Sequence, residues 1–187
     1  MKKEALWVRN GYVLRSAHAE DAEAYFQQNY NPLDPEAARL TGCRPSFTRE
    51  EVLAFFRAAV EEEDRYLFLL TAPDGRIIGE SVLNEIDWTV RRANFRIGIY
   101  HPAERGKGVG SWMVEATRDF AFAELGLHRL ELDVFSFNPR AERAYLRAGF
   151  RREGVLRDAV MDGDAYGDDI LMALLEDEWR ALGGRQS

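Results

Sequence analysis

RGKGVG, residues Arg105 to Gly110, sets glycine at every second position between a proline-containing loop and an amphipathic segment. Backbone N–H groups at a helix start are unpaired donors carrying partial positive charge, so a bare turn leading into a helix suits an anion. Two nucleotide motifs use that physics, and neither fits. A P-loop needs Gly-Lys-Ser/Thr, but Lys107 is followed by Gly108; the dinucleotide pattern needs its third glycine where Ser111 stands. Upstream, RANFRIGIY puts Phe95, Ile97 and Ile99 on one face of a strand. Downstream, SWMVEATRDFAFAEL spaces Met113, Ala116, Phe120 and Ala123 as a helix stripe that ends at Gly126. Strand, glycine turn and helix form the local unit.

Reading outward from that unit, GYVLRSA is a short strand, and HAEDAEAYFQQNY is a helix with Ala22, Tyr25 and Phe26 on one face. NPLDPEAARLTGCRPSF, with three prolines, reads as a long mobile connection. Thr48 and Glu51 make a capping box for REEVLAFFRAAVEEED, whose Val52, Phe55, Phe56 and Val60 are expected to face inward. RYLFLLTA and RIIGESVLNEID form a hairpin around Pro73-Asp74-Gly75. HRLELDVFS is a strand, and Asn138-Pro139 caps and opens a helix over RAERAYLRA up to Gly149. FRREGVL and YGDDILMALL are two closing strands, and EDEWRALG a tail. With no repeat or linker, this is one α+β domain over residues 1–187: a mixed, mostly antiparallel central sheet with helices on both faces.

The 25 basic and 32 acidic side chains leave a net charge of −7, which argues against nucleic acid or an anionic membrane and for a cationic partner. His18, His101 and His128 are scattered, so no metal site is expected. Cys43 stands alone and reads as a solvated loop thiol, not as a nucleophile. No run is long enough to cross a bilayer, and Glu4 and Arg9 interrupt any apolar signal core, so the expected compartment is the cytoplasm. Self-association into a homodimer is left open.

R-x-x-G-x-G, as Arg105, Gly108 and Gly110 after a strand, resembles the GNAT superfamily of acetyl-CoA-dependent N-acetyltransferases. The likeness continues through NPRAERAYLRAGF, Asn138 to Phe150, which matches that family's N-x-x-A-x-x-x-Y-x-x-x-G-F segment. EGVLRD and LMALLEDEW resemble the RimJ/RimL-like and spermidine acetyltransferase subgroup, so the match spans nearly the whole chain. The resemblance implies the GNAT fold and acetyl-CoA as cofactor. It implies that Gly98, Ile99 and Tyr100 offer backbone groups to the pantetheine arm and thioester. Arg105, Gly106, Lys107, Gly108, Val109, Gly110 and Ser111 then hold the pyrophosphate, and Asn138 bonds the cofactor near its pantetheine. Arg143 and Arg147 read either as contacts to the adenosine phosphate or as solvated helix arginines.

Amine attack on a thioester expels a thiolate, which calls for an acid or hydrogen-bond donor; the resemblance assigns that place to Tyr145. The acceptor must arrive as a free amine. At pH 7 deprotonation costs ~4.6 kcal/mol for an amine of pKa ~10.4 and ~1.4 for an α-amine near ~8, so a base matters most for the first. Glu85 in VLNEID is the expected base, with Glu80 and Asp87 as runners-up. The segment RDAVMDGDAYGDD, read as an acidic loop, carries Asp158, Asp162, Asp164, Asp168 and Asp169 and would draw in cations. The expected activity is therefore direct acetyl transfer to a primary amine: a protein N-terminal α-amine, a polyamine or another small amine. The competing reading is a non-catalytic module that binds CoA or acyl-CoA and reports it to a partner.

Overall fold

The computed structural model describes residues 2–183. Its centre is an eight-stranded sheet: β1 (Leu6–Arg9), β2 (Tyr12–Ser16), β3 (Tyr66–Thr71), β4 (Ile77–Asp87), β5 (Arg92–Ile99), β6 (Arg129–Phe135), β7 (Arg151–Asp162) and β8 (Ala165–Leu175). The spatial order is β1-β2-β3-β4-β5-β6-β8-β7. Every pairing is antiparallel except β5 with β6. The mixed, mostly antiparallel sheet expected from the sequence is therefore present.

Six α-helices accompany it among the described residues: α1 (Ala22–Asn29), α2 (Pro35–Thr41), α3 (Arg49–Glu61), α4 (Val109–Asp119), α5 (Pro139–Arg147) and α6 (Glu176–Ala181). β3 shows why they lie on both faces. Its run from Tyr66 to Leu70 is buried; Leu67 and Leu69 join one core with Tyr25, Val52 and Phe56, while Phe68 and Leu70 join the other with Met113, Phe120 and Leu132. Side chains alternate across a strand, so an unbroken apolar run is stable only when both faces are covered. No helix among the described residues is long and apolar enough to cross a membrane.

Four expectations need correction. The proline-rich segment is not a mobile connection throughout: Asp34 accepts from the Ala37 amide, Pro35 opens α2, and Gly42 closes it at φ +68°. The closing tail is α6, whose Trp179 is buried against Phe122 and donates its indole N–H to Asp119. The acidic loop is mostly strand, since β7 and β8 run to a tight turn at Gly163-Asp164. Phe55 points outward, 55% exposed, and Leu53 and Ala59 take the inner face of α3 with Val52 and Phe56. β1 was not anticipated.

The capping box of α3 is formed as read. Thr48 Oγ1 accepts from the Glu51 amide at 3.2 Å, and the Glu51 carboxylate accepts from the Thr48 amide at 2.8 Å. Thr48→Ala is expected to lower stability by about 1 kcal/mol, a midpoint shift of ~2–4 °C in thermal unfolding. An unchanged midpoint would remove the cap from the account of α3.

Candidate active site

β5 and β6 pair only over Arg92–Asn94 and Arg129–Glu131. Beyond those residues both strands continue, β5 to Ile99 and β6 to Phe135, without meeting. The sheet therefore opens along the remainder of β5, from Phe95 onward, whose edge toward β6 has no strand partner among the described residues. A cavity of about 970 Å³ occupies the opening and reaches both faces of the sheet. Residues of α4 and α5 line it on one side and residues of α1 to α3 on the other.

The glycine turn forms the floor of the first side. Gly106 and Gly108 both sit at φ +80°, a left-handed conformation that glycine adopts without steric strain, and a Cβ at either would meet nothing within 4 Å. Gly108 is the N-cap of α4 and offers no side-chain cap. The first amide of α4 bonded back into the helix is that of Trp112, to the Gly108 carbonyl, so helix geometry directs the amides before it outward. Arg105 is different from expectation. Its amide donates to Pro102, and its guanidinium, only 8% exposed, donates to the Ile99 carbonyl and pairs with Asp34 and Glu36. Arg105 thus braces α2 against the end of β5, and the free donors begin after it. Lys107 pairs with Glu104 at 3.0 Å, and Tyr12 donates to the same carboxylate at 2.7 Å. The Tyr12 hydroxyl and the Lys107 ammonium hold Glu104 below the usual carboxylate range.

Two backbone groups expected to face the pantetheine arm are already used. The Ile99 carbonyl accepts from Arg105, and the Tyr100 amide donates to Ile78. The open edge is Phe95 to Gly98. Tyr145 lies across the cavity on α5, 5% exposed, with edge-to-face contacts to Phe95 and Phe150. Its hydroxyl has no hydrogen-bond partner among the described residues. Burial and, secondarily, the Asp133 carboxylate push its pKa well up, so it is a neutral donor at any physiological pH. Asn138 caps α5, its Oδ1 accepting from the Ala141 amide at 3.3 Å, and Arg147 reaches Ser111 Oγ at 3.5 Å beside the turn.

On the other side, Glu80 and Asn84 of β4 line the cavity with Gly98, Arg96 and Asn94 of β5; the cross-strand pairs are Glu80 with Gly98, Val82 with Arg96, and Asn84 with Asn94, Val82 being packed in the core. Glu80 accepts from Tyr25 Oη at 2.6 Å; Tyr25 and Tyr30 hydroxyls lie 3.2 Å apart, and Tyr30 and Tyr100 hydroxyls 3.4 Å apart. Burial, then the Glu80 charge, raises the pKa of all three tyrosines, so they remain hydrogen-bond donors. Glu85 also borders the cavity, but it is exposed and sits at φ +53° in a bulge between Asn84 and Asp87. Asp87 is a turn cap, accepting from the amides of Thr89 and Val90. The acidic cluster is dispersed along the hairpin: Asp162 pairs with Arg39, and Asp168 accepts from the Asp158 amide. Cys43 is partly buried and lines the cavity, so it is not the solvated thiol expected.

Residues 12–151 match the model of the Acetyltransferase (GNAT) domain family. The chain belongs to that family. As a GNAT protein it is an acetyl-CoA-dependent N-acetyltransferase, and its fold agrees with solved relatives. It is similar to the crystal structure of spermidine N-acetyltransferase from Vibrio cholerae in complex with CoA and spermine: TM-score 0.81, 25% identity, 92% of this chain and 99% of that one. Among curated proteins, the probable N-acetyltransferase YjcK of Bacillus subtilis is 32% identical over 121 residues, 64% of this chain and 67% of that protein. Spermidine N(1)-acetyltransferase of Vibrio cholerae is 28% identical over 130 residues, 70% of this chain and 75% of that protein.

Acetyl-CoA supplies this GNAT enzyme with an activated thioester and a thiolate leaving group. The residues present fit it: a turn without side chains at Gly106 and Gly108, an open strand edge, and an unpartnered hydroxyl at Tyr145. Sequence reasoning missed Asn84 and Arg96 as cavity residues. Their alternation with Glu80 on one sheet face was a legible signal once both strands were paired.

Proposed function

We propose that this enzyme acetylates a cationic primary amine by direct transfer in a ternary complex, and that it is of the RimJ/RimL-like type. One observation carries the reading: a single opening in the sheet joins the glycine turn and Tyr145 on one face to a carboxylate wall on the other. The amides after Arg105, with Arg147 beside them, hold the pyrophosphate, and Phe95 to Gly98 orient the pantetheine arm. Tyr145 donates a hydrogen bond to the departing sulfur. Of the candidate bases, Glu80 is better supported than the expected Glu85. It lies opposite Gly98 on the open half of β5, and its carboxylate is fixed by Tyr25. Glu85 stands on the bulge beside the closed half and is wet.

The relatives named for spermidine make polyamines one acceptor class to test, and the net charge of −7 agrees with any cation. Thiol release from acetyl-CoA, measured in parallel with N-terminal peptides, polyamines, amino acids and aminoglycosides, is expected to show amine-dependent turnover. Binding of CoA with no turnover on any amine would favour the regulatory module instead.

A further inference from the structure

Resting on the transferase reading and on Glu80 as the seat of the amine, we infer that the acceptor is zwitterionic, carrying a carboxylate close to the nitrogen that is acetylated, and that Arg96 binds that carboxylate.

The wall that receives the acceptor is a small array on one face of two paired strands: Glu80 and Gly98, Val82 and Arg96, Asn84 and Asn94. Arg96 is therefore the diagonal neighbour of both Glu80 and Asn84, within reach of long side chains. Opposite charges so placed ordinarily pair with each other. Here they do not: Glu80 is held by Tyr25, and Arg96 has no hydrogen bond or ion pair among the described residues. Other arginines of the cavity are engaged. Arg44 pairs with Glu51, Arg105 with Asp34 and Glu36, and Arg140 approaches Glu36 at 4.0 Å. Arg147 stands at the glycine turn, where phosphate is expected. Arg96 is the guanidinium left on the acceptor side with no anion to meet.

Asn84 supplies an independent sign of a ligand in the same wall, on the far side of Arg96 from Glu80. It is 8% exposed, lines the cavity, and its Oδ1 is buried without a donor. A buried acceptor left unmade is costly, and an N–H of the acceptor molecule lying beyond Arg96, on the side away from Glu80, would satisfy it. The wall thus presents a guanidinium with a carboxylate one diagonal step to one side and a neutral acceptor one diagonal step to the other. An amine with no anion meets Glu80 and is repelled by Arg96; a compact amino acid spans Glu80 and Arg96, which leaves Asn84 for a donor further along the acceptor. Diagonal spacing sets the reach, so the carboxylate belongs one or two carbons from the nitrogen. A guanidinium fork also matches a planar carboxylate through two parallel hydrogen bonds.

The test compares kcat/KM at saturating acetyl-CoA for matched pairs that differ in the α-carboxylate: ornithine and putrescine, arginine and agmatine, phenylalanine and phenethylamine. The wild type is expected to favour the acid-bearing member by about tenfold or more, chiefly through KM. Arg96→Gln should reduce that preference to about twofold by raising KM for the amino acids, with KM for acetyl-CoA unchanged; Arg96→Lys should restore part of it. Because Arg96 is exposed at the cavity wall, thermal unfolding of both variants checks that the fold is intact. An active wild type that prefers the decarboxylated amines, or an Arg96→Gln variant that keeps the wild-type preference, overturns this inference alone. A wild type that binds CoA and acetylates nothing overturns the transferase reading, and this inference with it.

Discussion

Tyr145→Phe is expected to lower kcat by about 100-fold while leaving KM for acetyl-CoA within twofold, because the phenol acts on charge that develops only as the C–S bond breaks. The ring keeps its contacts with Phe95 and Phe150, so the substitution removes a hydroxyl and little packing. That hydroxyl has no partner among the described residues to leave orphaned, which separates a catalytic loss from a structural one. Its pKa, raised by burial and then by Asp133, lies far above the neutral range. The wild-type profile of kcat against pH should accordingly show no descending limb from Tyr145 between pH 6 and about 9. A variant with wild-type kcat would strip Tyr145 of its role; a variant with unchanged kcat but weakened CoA binding would reassign it to the cofactor.

Gly108→Val is expected to weaken CoA binding by about 100-fold in titration calorimetry. Two effects act together. A β-branched residue at φ +80° carries backbone strain of ~1–3 kcal/mol, and its methyl groups stand over amides that a diphosphate oxygen must approach closely. The space around Gly108 is open, so no packed neighbour is displaced and the sheet should stay folded, with a midpoint lowered by several degrees. Wild-type affinity in this variant would mean that the pyrophosphate lies elsewhere. Arg105 offers the internal contrast: its contacts are to α2 and β5, so its loss should act on stability before it acts on the cofactor.

Much of the fold was legible because local signals carried it. The Thr48-Glu51 box, the Pro73-Asp74-Gly75 turn and the Asn138-Pro139 helix start are short-range chemistry, and each formed where read. The α2 helix had an equally local signature in Asp34-Pro35 and Gly42, but the three prolines of its segment outweighed it. Trp179 depends on partners distant in the chain, Phe122 and Asp119, whereas β1 had a local signature, the Asn10-Gly11 turn into β2, that went unread. In the site, the glycine turn and Tyr145 were visible as motif residues. Glu80 could not be ranked above Glu85, because the bulge that carries Glu85 outward is a register shift between strands and leaves no mark in the order of residues. Arg105 likewise reads as a phosphate ligand until Asp34 and Glu36 are folded back onto it.

The breach between β5 and β6 is open from two directions, and different stretches of chain build its two entrances. Donor and acceptor can therefore come and go without passing one another. Initial-rate plots should intersect, with no obligatory sequence of arrival and each product inhibiting mainly through its own doorway. Acceptor choice, housed largely in α1 to α3 and the β4 wall, is free to diverge among relatives while the grip on the acyl carrier stays constant.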